Sequence, residues 1–197
     1  MKSIIVVTGL PGSGKSEISR EMLRRGIPTI ITGDIIKEEV SKRGLELTVE
    51  SSECVARELR KEYGPDAPIR LIESRIEEID APLICVDGPR NLKELDLLRD
   101  HGEVFLIVVQ SARKLRYTRL RKRASARDPE SWDHFLWRDR KELERGMSTL
   151  MKTKKYKRYL LRNTGTVSEL RGKLSRIIKG IRSGSPTRVK SGRSPGK

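Results

Sequence analysis

Apolar residues occur along this chain in two arrangements, as short continuous runs and as repeats spaced by three and four. The continuous runs are rich in β-branched residues, and such runs predict strands that are buried on both faces of a sheet. A final, weaker run predicts a fifth strand. The five predicted strands are Ile4–Thr8, Pro28–Thr32, Leu83–Val86, Val104–Val109 and Tyr159–Arg162.

Between these runs the helical spacing dominates. It is clearest for Ile69, Ile72, Ile76 and Ile79, which we expect to form one face of a helix. Further helices are predicted at about Lys15–Arg25, Ile35–Arg43, Cys54–Tyr63, Asn91–Arg99 and Ala112–Ala126.

Polar residues mark three helix starts. Asp34 is predicted to cap the helix that follows it, and Asp128 to cap a helix with Pro129 at its first position. Thr166 and Glu169 have the spacing of a capping box for the last helix. That helix should bury Leu170, Leu174, Ile177 and Ile181.

Strands and helices alternate throughout, which is typical of α/β proteins. Since the strands are apolar on both faces, the sheet should be parallel, with helices covering each side. The sequence therefore predicts a three-layer α/β/α domain around a five-stranded parallel sheet.

Charge divides the chain into two unlike halves. Residues 1–110 carry 16 basic and 20 acidic residues, whereas residues 111–197 carry 27 basic and 7 acidic residues, for a total net charge of +16. The basic half predicts a polyanionic partner, such as a triphosphate, a nucleic acid or an acidic protein.

Cysteine content and hydropathy indicate the compartment. Cys54 and Cys85 lie in apolar patterns and are predicted to be buried free thiols in a reducing environment. With no signal peptide or membrane-spanning run in the sequence, we expect a cytoplasmic protein.

The first predicted strand leads into a glycine loop with a specific pattern. Gly9-Leu10-Pro11-Gly12-Ser13-Gly14-Lys15-Ser16 matches G-x-x-x-x-G-K-[ST], the phosphate loop of P-loop NTPases, between a strand and a helix as that motif requires. Inward-facing N–H groups and the helix N-terminus should hold the phosphates of ATP or a similar triphosphate. Lys15 would reach the β- and γ-phosphates, and the Ser16 hydroxyl would ligate Mg²⁺.

The strand Leu83–Val86 ends at Asp87, which gives a second element of the same site. A carboxylate at the tip of a buried strand beside the loop is the Walker B arrangement. Asp87 should hold the magnesium shell, through water.

Two further segments resemble those of known nucleotide kinases. Thr32-Gly33-Asp34-Ile35-Ile36-Lys37 and Asp87-Gly88-Pro89-Arg90 are similar to acceptor-site segments of adenylate kinase. Over about residues 3–180 the chain resembles the archaeal adenylate-kinase-related proteins, often labelled dephospho-CoA-kinase-like. The matching segments include Arg57–Pro65, Arg127-Asp128-Pro129 and Arg138-Asp139-Arg140.

The resemblance implies roles for individual residues. Arg90 would grip an acceptor phosphate, Thr32 and Lys37 would line the acceptor pocket, and Asn163 would belong to the turn that meets the adenine and ribose. By the same resemblance, Asp34 would orient or deprotonate an acceptor hydroxyl. As a helix cap alone, Asp34 would contribute about 1 kcal/mol to stability, and the two roles can coexist.

Seven of the eleven residues from Arg113 to Arg123 are basic, and the basic set continues through Arg127, Arg138 and Arg140. A closing lid can bring arginines to a migrating phosphoryl group. The family likeness implies this catalytic role for Arg119, Arg123 and Arg138.

The basic residues also suggest an alternative, an RNA-associated NTPase or NTP-dependent regulator. Tyr156 and Tyr159 lie among basic residues and could stack on bases while their neighbours follow a nucleic acid backbone. A basic surface without a cognate partner is the simpler explanation of the same run.

Together these patterns predict one kinase domain, residues 1–182, that transfers phosphate from Mg-ATP to a small nucleotide-like acceptor. We expect a helical acceptor-binding insertion at about 33–80, a helical basic lid at about 119–145 and a disordered basic tail at 183–197. The acceptor, the choice between ATP and GTP and the oligomeric state stay open.

Overall fold

The computed structural model describes residues 2–125 and 128–183. Arg127, which belongs to the basic set noted in the sequence, and residues 184–197, which form nearly all of the predicted disordered tail, lie outside the described residues. The strands are β1 (Ser3–Thr8), β2 (Thr29–Ile31), β3 (Leu83–Asp87), β4 (Glu103–Gln110) and β5 (Lys157–Arg162).

The strands form one parallel sheet in the order β2-β3-β1-β4-β5, which confirms the predicted five-stranded parallel sheet. The central strand β1 pairs with β3 on one side and β4 on the other. In this register Val7 is opposite Asp87. The loop after β1 therefore begins beside the carboxyl end of β3.

Helices cover both faces of the sheet. A π-helical turn, Leu143–Met147, joins the eighth and ninth of them. The α-helices of the described residues are α1 (Lys15–Arg24), α2 (Thr32–Lys42), α3 (Val49–Tyr63), α4 (Ala67–Arg70), α5 (Glu73–Glu78), α6 (Leu92–His101), α7 (Arg113–Arg123), α8 (Trp132–Glu142), α9 (Ser148–Lys152) and α10 (Val167–Arg182).

Two aliphatic cores lie on opposite sides of the sheet. On one side α1 and α10 pack residues such as Met22 and Leu174 against β1 and β4. On the other side Ile76, Leu98 and Leu150 cover the same strands. These layers confirm the three-layer α/β/α architecture. No helix among the residues described is long and apolar enough to cross a membrane.

A third, smaller core joins α2, α3 and α4. Val40, Val55, Leu59 and Ala67 are buried together there, away from the sheet. The segment predicted to bind an acceptor thus has its own apolar support.

Two predicted caps are wrong. Helix α2 begins at Thr32, so Asp34 lies inside its first turn and accepts a hydrogen bond from Lys37 at 2.5 Å instead of capping. The helix starts early because Thr32 is buried where β2 ends. Asp128 accepts hydrogen bonds from Arg123, and Ser131 caps α8 by accepting from His134 N at 3.1 Å.

Two other local predictions need correction. The isoleucines at 69, 72 and 76 are fully buried, but Ile69 lies in α4, Ile76 lies in α5, and Ile72 lies in the break between these two short helices. The spacing of the isoleucines indicates one buried face, and this face continues across the break between the two helices. Cys85 is buried as expected, whereas Cys54 is only half-buried, because its side of α3 lies at the surface. The capping box of Thr166 and Glu169 is confirmed.

Candidate functional site

The glycine loop runs from the end of β1 into the start of α1, with other elements packed tightly against it. Gly12 and Gly14 have φ angles of 76° and 103°, which favour glycine. A Cβ at Gly12 would lie 2.6 Å from the carbonyl oxygen of Arg116, and one at Gly14 would collide with Nδ2 of Asn163. The glycines are therefore required both by the backbone conformation and by close packing.

Lys15 is the first residue of α1, and its side chain folds back across the loop. Its Nζ donates to the carbonyl oxygen of Gly9 at 2.5 Å. Burial lowers the pKa of Lys15, and the charge of Arg90 acts in the same direction, while Asp87 opposes the shift. The ammonium thus lies where charges from several elements converge.

Asp87 is buried at the tip of β3, as predicted, and is held from α1. Ser19 Oγ donates to Asp87 Oδ2 at 2.5 Å. Burial raises the pKa of Asp87, the bond from Ser19 and the charge of Lys15 lower it, and the charge of Asp34 raises it further. Ser19 was not predicted from the sequence, although its position four residues after Lys15 places it one turn along the same helix face.

The oxygen donors near the loop suit magnesium carried by a nucleotide. Ser16 is exposed at the second position of α1, and Asp87 offers a carboxylate nearby. Among the described residues, no group of three or more His, Cys, Asp or Glu could hold a metal ion by itself. Mg²⁺ is usually bound by one or two protein oxygens together with phosphates and water, so this donor set fits.

Helix α7 is fixed to the loop by Arg116. Its guanidinium forms a buried ion pair with Asp139 of α8, with Nη1–Oδ1 and Nη2–Oδ2 distances of 2.6 Å. It also donates to the carbonyl oxygen of Pro11 at 3.2 Å and lies over the Phe135 ring. From the sequence, Arg116 was only one of the seven basic residues between Arg113 and Arg123. The one hint of its partner was the single acidic residue in Arg138-Asp139-Arg140.

The three predicted lid arginines occupy different surroundings. Arg119 donates to Ser111 Oγ at 2.9 Å and to the carbonyl oxygen of Asn163 at 3.2 Å, and burial lowers its pKa. Arg123 pairs with Asp128 but contributes to the field at Lys15. Arg138 is half-buried and lies with Pro11, Leu120 and Phe135 around a small gap. Their catalytic role stays a prediction.

Asn163 braces the loop from the opposite side. Its Nδ2 donates to the carbonyl oxygen of Ser13 at 2.8 Å, and its backbone N–H donates to Gln110 O. The side chain is buried. Contact of this turn with an adenine or ribose stays a prediction, and the amide itself acts on the loop.

Three arginines from different elements lie close together near the loop. Arg90 Nη1 lies 3.3 Å from Glu142 Oε1, and Arg145 Nη1 lies 3.4 Å from the same oxygen. Burial lowers the pKa of Arg60, on α3, and the charges of Arg90 and Arg145 act in the same direction. We call Arg60, Arg90 and Arg145 the arginine cluster. Of its members, only Arg90 was given a role from the sequence.

The buried acid of this cluster is Glu94. Its Oε2 accepts from Arg90 N at 2.5 Å and its Oε1 accepts from Asn91 Nδ2 at 2.9 Å. Burial raises the pKa of Glu94 to about 7, against the opposing effects of Arg90 and Arg60. Its charge therefore changes near neutral pH.

Close packing at two glycines brings the loop after β3 against the π-helical turn and the start of α2. Gly146 has φ 110°, and a Cβ there would lie 3.1 Å from Arg90 O, so the π-helical turn packs directly on the loop after β3. At Gly88 a Cβ would collide with Thr32 Oγ1. Thr32 consequently lies beside the tip of β3, while Lys37 and Asp34 pair on the exposed surface of α2.

The two tyrosines of the basic stretch pack against the protein. Tyr156 is buried and its hydroxyl donates to Asp96, and Tyr159 packs on the apolar core beneath β5. A buried ring such as that of Tyr156 offers no face on which a base could stack. The hypothesis of RNA association is therefore supported by the basic side chains alone.

Comparisons with known proteins agree with this architecture. The AAA domain family matches residues 5–133. A UPF0200 protein of Thermococcus gammatolerans is 36% identical over 183 residues, which cover 90% of this chain and 95% of the relative. A UPF0200 protein of Pyrococcus horikoshii is 35% identical over 188 residues, which cover 93% of this chain and all of the relative.

Two solved structures share the fold. TT1252 from Thermus thermophilus superposes with a TM-score of 0.64 at 22% identity, covering 93% of this chain and 98% of that one. A sugar kinase from Janibacter sp. has a TM-score of 0.55 at 18% identity, covering 92% and 95%. At these identities the likeness concerns the fold alone.

Proposed function

Because this chain belongs to the UPF0200 family and most of its sheet lies in an AAA domain, we propose that it is an ATP-dependent kinase. It transfers the γ-phosphoryl group of Mg-ATP to a small nucleotide-like acceptor, of the class of a nucleoside monophosphate or dephospho-CoA. The observation that carries the proposal is the position of Lys15, between the glycine loop and the charges of Asp87, Arg90 and Glu142.

The triphosphate half of the site rests on the loop. N–H groups between Gly9 and Ser16 and the N-terminus of α1 would receive the phosphates. Lys15 would bind them with the N–H donors that Gly9 O does not take. Ser16 and Asp87 would hold Mg²⁺, which when bound neutralises charge on the β- and γ-phosphate oxygens.

The arginine cluster supports an acceptor that carries a phosphate. Arg60, Arg90 and Arg145 outnumber Glu94 and Glu142, so an anion among them would be stabilised by charge. Asp34 suits an acceptor hydroxyl in addition, because a hydroxyl benefits from a base and an acceptor phosphate does not. Asp34 lies close enough to Asp87 to affect its pKa.

Positioning and charge stabilisation would supply most of the rate in such a reaction. Arg119, Arg123 and Arg138 are the lid residues proposed to neutralise the migrating phosphoryl group. Of the three, Arg119 has the contacts that best suit this role, because it donates to Asn163, whose side chain bonds the loop.

An acceptor panel tests the proposal. ADP formation from Mg-ATP would be measured with AMP, CMP, GMP and dephospho-CoA, and with GTP as the alternative donor. We expect one acceptor class to stimulate turnover, and Lys15→Ala to lower that rate by at least about a hundredfold, as for loss of a preorganised charge-stabilising group.

The control is Lys122→Ala, an exposed lysine of α7, which should keep the wild-type rate. If no acceptor on the panel stimulates ADP formation, or if Lys15→Ala retains it, the kinase proposal fails.

A further inference from the structure

Basic residues dominate the segment that forms α9, β5 and α10. Residues 148–182, all of which the structure describes, contain eleven basic residues and one acidic residue, a net charge of +10. The acidic residue is Glu169, whose carboxylate accepts a hydrogen bond from Thr166 N in the capping box of α10. The segment therefore carries almost no negative charge of its own.

Most of these basic residues also lack an acidic partner elsewhere. Three form ion pairs with other parts of the chain, namely Lys155 with Asp96, Lys157 with Glu103, and Arg171 with Glu17 and Glu21. The remaining eight form no ion pair with any residue in 2–125 or 128–183. We call these eight the basic edge: Lys152, Lys154, Arg158, Arg162, Lys173, Arg176, Lys179 and Arg182.

The basic edge surrounds one side of the sheet. Strand β5 pairs with β4 alone, so it is an edge strand. On one side, Lys173 Nζ of α10 donates to Arg162 O of β5 at 2.9 Å. On the other side, Arg158 Nη1 of β5 donates to Met151 O of α9 at 2.6 Å. The two helices and the strand thus carry their cations around the same edge.

This concentration of like charge is unfavourable without a partner. Seven of the eight side chains are exposed, and Lys173 is half-buried. Uncompensated charges of one sign repel each other and destabilise the compact state. A bound polyanion would remove that repulsion.

The composition of the surface distinguishes among polyanions. Between residues 148 and 182, Val167 is the one large apolar side chain that is exposed. Protein interfaces have an apolar centre, and helices that lie on membranes insert an apolar face, so both need more than this surface offers. A nucleic acid backbone can be bound by charge alone.

The packing of the tyrosine rings favours a duplex over a single strand. Single strands are commonly bound by stacking of their bases on aromatic rings. Tyr156 is buried and Tyr159 packs on the core, so the basic edge offers charge without a stacking platform. In a duplex the bases are already stacked on each other, and the phosphates alone face the protein.

We propose that the basic edge binds the phosphate backbone of a double-stranded nucleic acid. Arg176, Lys179 and Arg182 of α10 contact phosphates on one side of β5. Lys152, Lys154 and Arg158 contact phosphates on the other side. Such contacts position a protein on a duplex and carry no sequence information. The six residues lie outside the glycine loop and the arginine cluster, so this binding does not rest on the proposed kinase activity.

Fluorescence anisotropy of the full chain with a labelled RNA duplex of roughly 20 base pairs, about two helical turns, tests the proposal. The matching DNA duplex and the RNA single strand are titrated in parallel between about 50 and 200 mM salt. We expect the duplexes to bind with a Kd of about 10⁻⁶ to 10⁻⁴ M at physiological salt. The tighter of the two duplexes identifies the natural partner.

Two triple variants test the surface itself. Arg176→Ala/Lys179→Ala/Arg182→Ala and Lys152→Ala/Lys154→Ala/Arg158→Ala should each weaken duplex binding. Each should also reduce the slope of log K against log salt by about 2 to 3, since one phosphate contact contributes about 0.9. The control Arg57→Ala/Lys61→Ala/Lys93→Ala removes the same charge from exposed positions of α3 and α6 and should leave the slope unchanged.

Several outcomes would overturn the proposal. These are no duplex binding at about 50 mM salt, tighter binding of the single strand, or an equal loss of slope in the control variant. Tighter binding of polyglutamate than of the duplex at equal charge would instead indicate an acidic protein partner. Displacement of the duplex by Mg-ATP at constant ionic strength would place the nucleic acid in the nucleotide site. ADP formation is measured separately, so none of these results decides the kinase proposal.

Discussion

Arg116 and Asp139 form a two-pronged ion pair in which both side chains are 3% exposed. The pair joins α7 to α8, and a third bond from Arg116 reaches Pro11 O in the glycine loop. A buried charge that loses its partner is strongly destabilising, because no water replaces the lost interaction.

Asp139→Ala should therefore lower the free energy of unfolding by about 3 to 5 kcal/mol. The double variant Arg116→Met/Asp139→Leu should recover much of this loss, since it removes both charges. Urea denaturation of the wild type, Arg116→Met, Asp139→Leu and the double variant measures the coupling. Single variants within about 1 kcal/mol of the wild type, the range of exposed pairs, would contradict a buried pair.

Substitutions in the arginine cluster should weaken catalysis with the acceptor and leave the binding of ATP unchanged. Arg60→Ala and Arg145→Ala should each lower kcat/KM for a phosphate-bearing acceptor about tenfold to a hundredfold, as each removes a charge-assisted bond. The KM for ATP should stay near the wild-type value. Arg57→Ala, exposed on the same helix, is the control, and an equal effect there would indicate a general charge effect instead of a site.

The raised pKa of Glu94 should make the stability of the protein depend on pH. Its pKa in the folded protein is raised to about 7 from 4.5, so the folded state binds the proton more tightly than the unfolded chain. The stabilisation is full below the unfolded pKa and is lost as pH rises to about 7, a change of roughly 3 kcal/mol. Denaturation of the wild type and Glu94→Gln between pH 4.5 and 8 should show their difference in stability changing in that window. Parallel curves would show that Glu94 ionises normally.

Gly146→Ala should destabilise the protein by about 1 to 3 kcal/mol, because alanine disfavours a φ of 110° and its methyl would press on Arg90 O. It should also weaken acceptor binding, since the π-helical turn carries Arg145. Gly172→Ala, in the open interior of α10, should instead stabilise by about 0.5 to 1 kcal/mol. Thermal unfolding with acceptor titration distinguishes the two variants.

The fold could be predicted because each of its main signals is local. A buried parallel strand is a continuous apolar run, and the glycine loop is a contiguous motif whose residues all act together. Thr166 and Glu169 likewise form their capping box within one turn of helix. The starts of α2 and α8 were missed because Asp34 pairs with Lys37 and Asp128 pairs with Arg123, so neither carboxylate caps its helix.

The partners of the arginines could not be predicted, because they come from distant parts of the chain. Seven basic residues between Arg113 and Arg123 look alike in sequence, yet Arg116 is buried against Asp139 and Arg119 bonds Asn163. Arg60 and Arg145 are 85 positions apart in the sequence, and only the fold brings their charges within range of each other. The roles of the candidate site residues accordingly stay predictions until activity is measured.

The bond from Lys15 to Gly9 O holds the ammonium against the loop before a phosphate binds. An ammonium has three N–H donors, so Lys15 can keep Gly9 O and still donate to an incoming phosphate oxygen. The side chain is thus ordered in advance, and its contribution to affinity should come mainly from the charge of the phosphate. Calorimetric titrations with ADP and ATP should then differ in their dependence on salt, because ATP carries the greater charge.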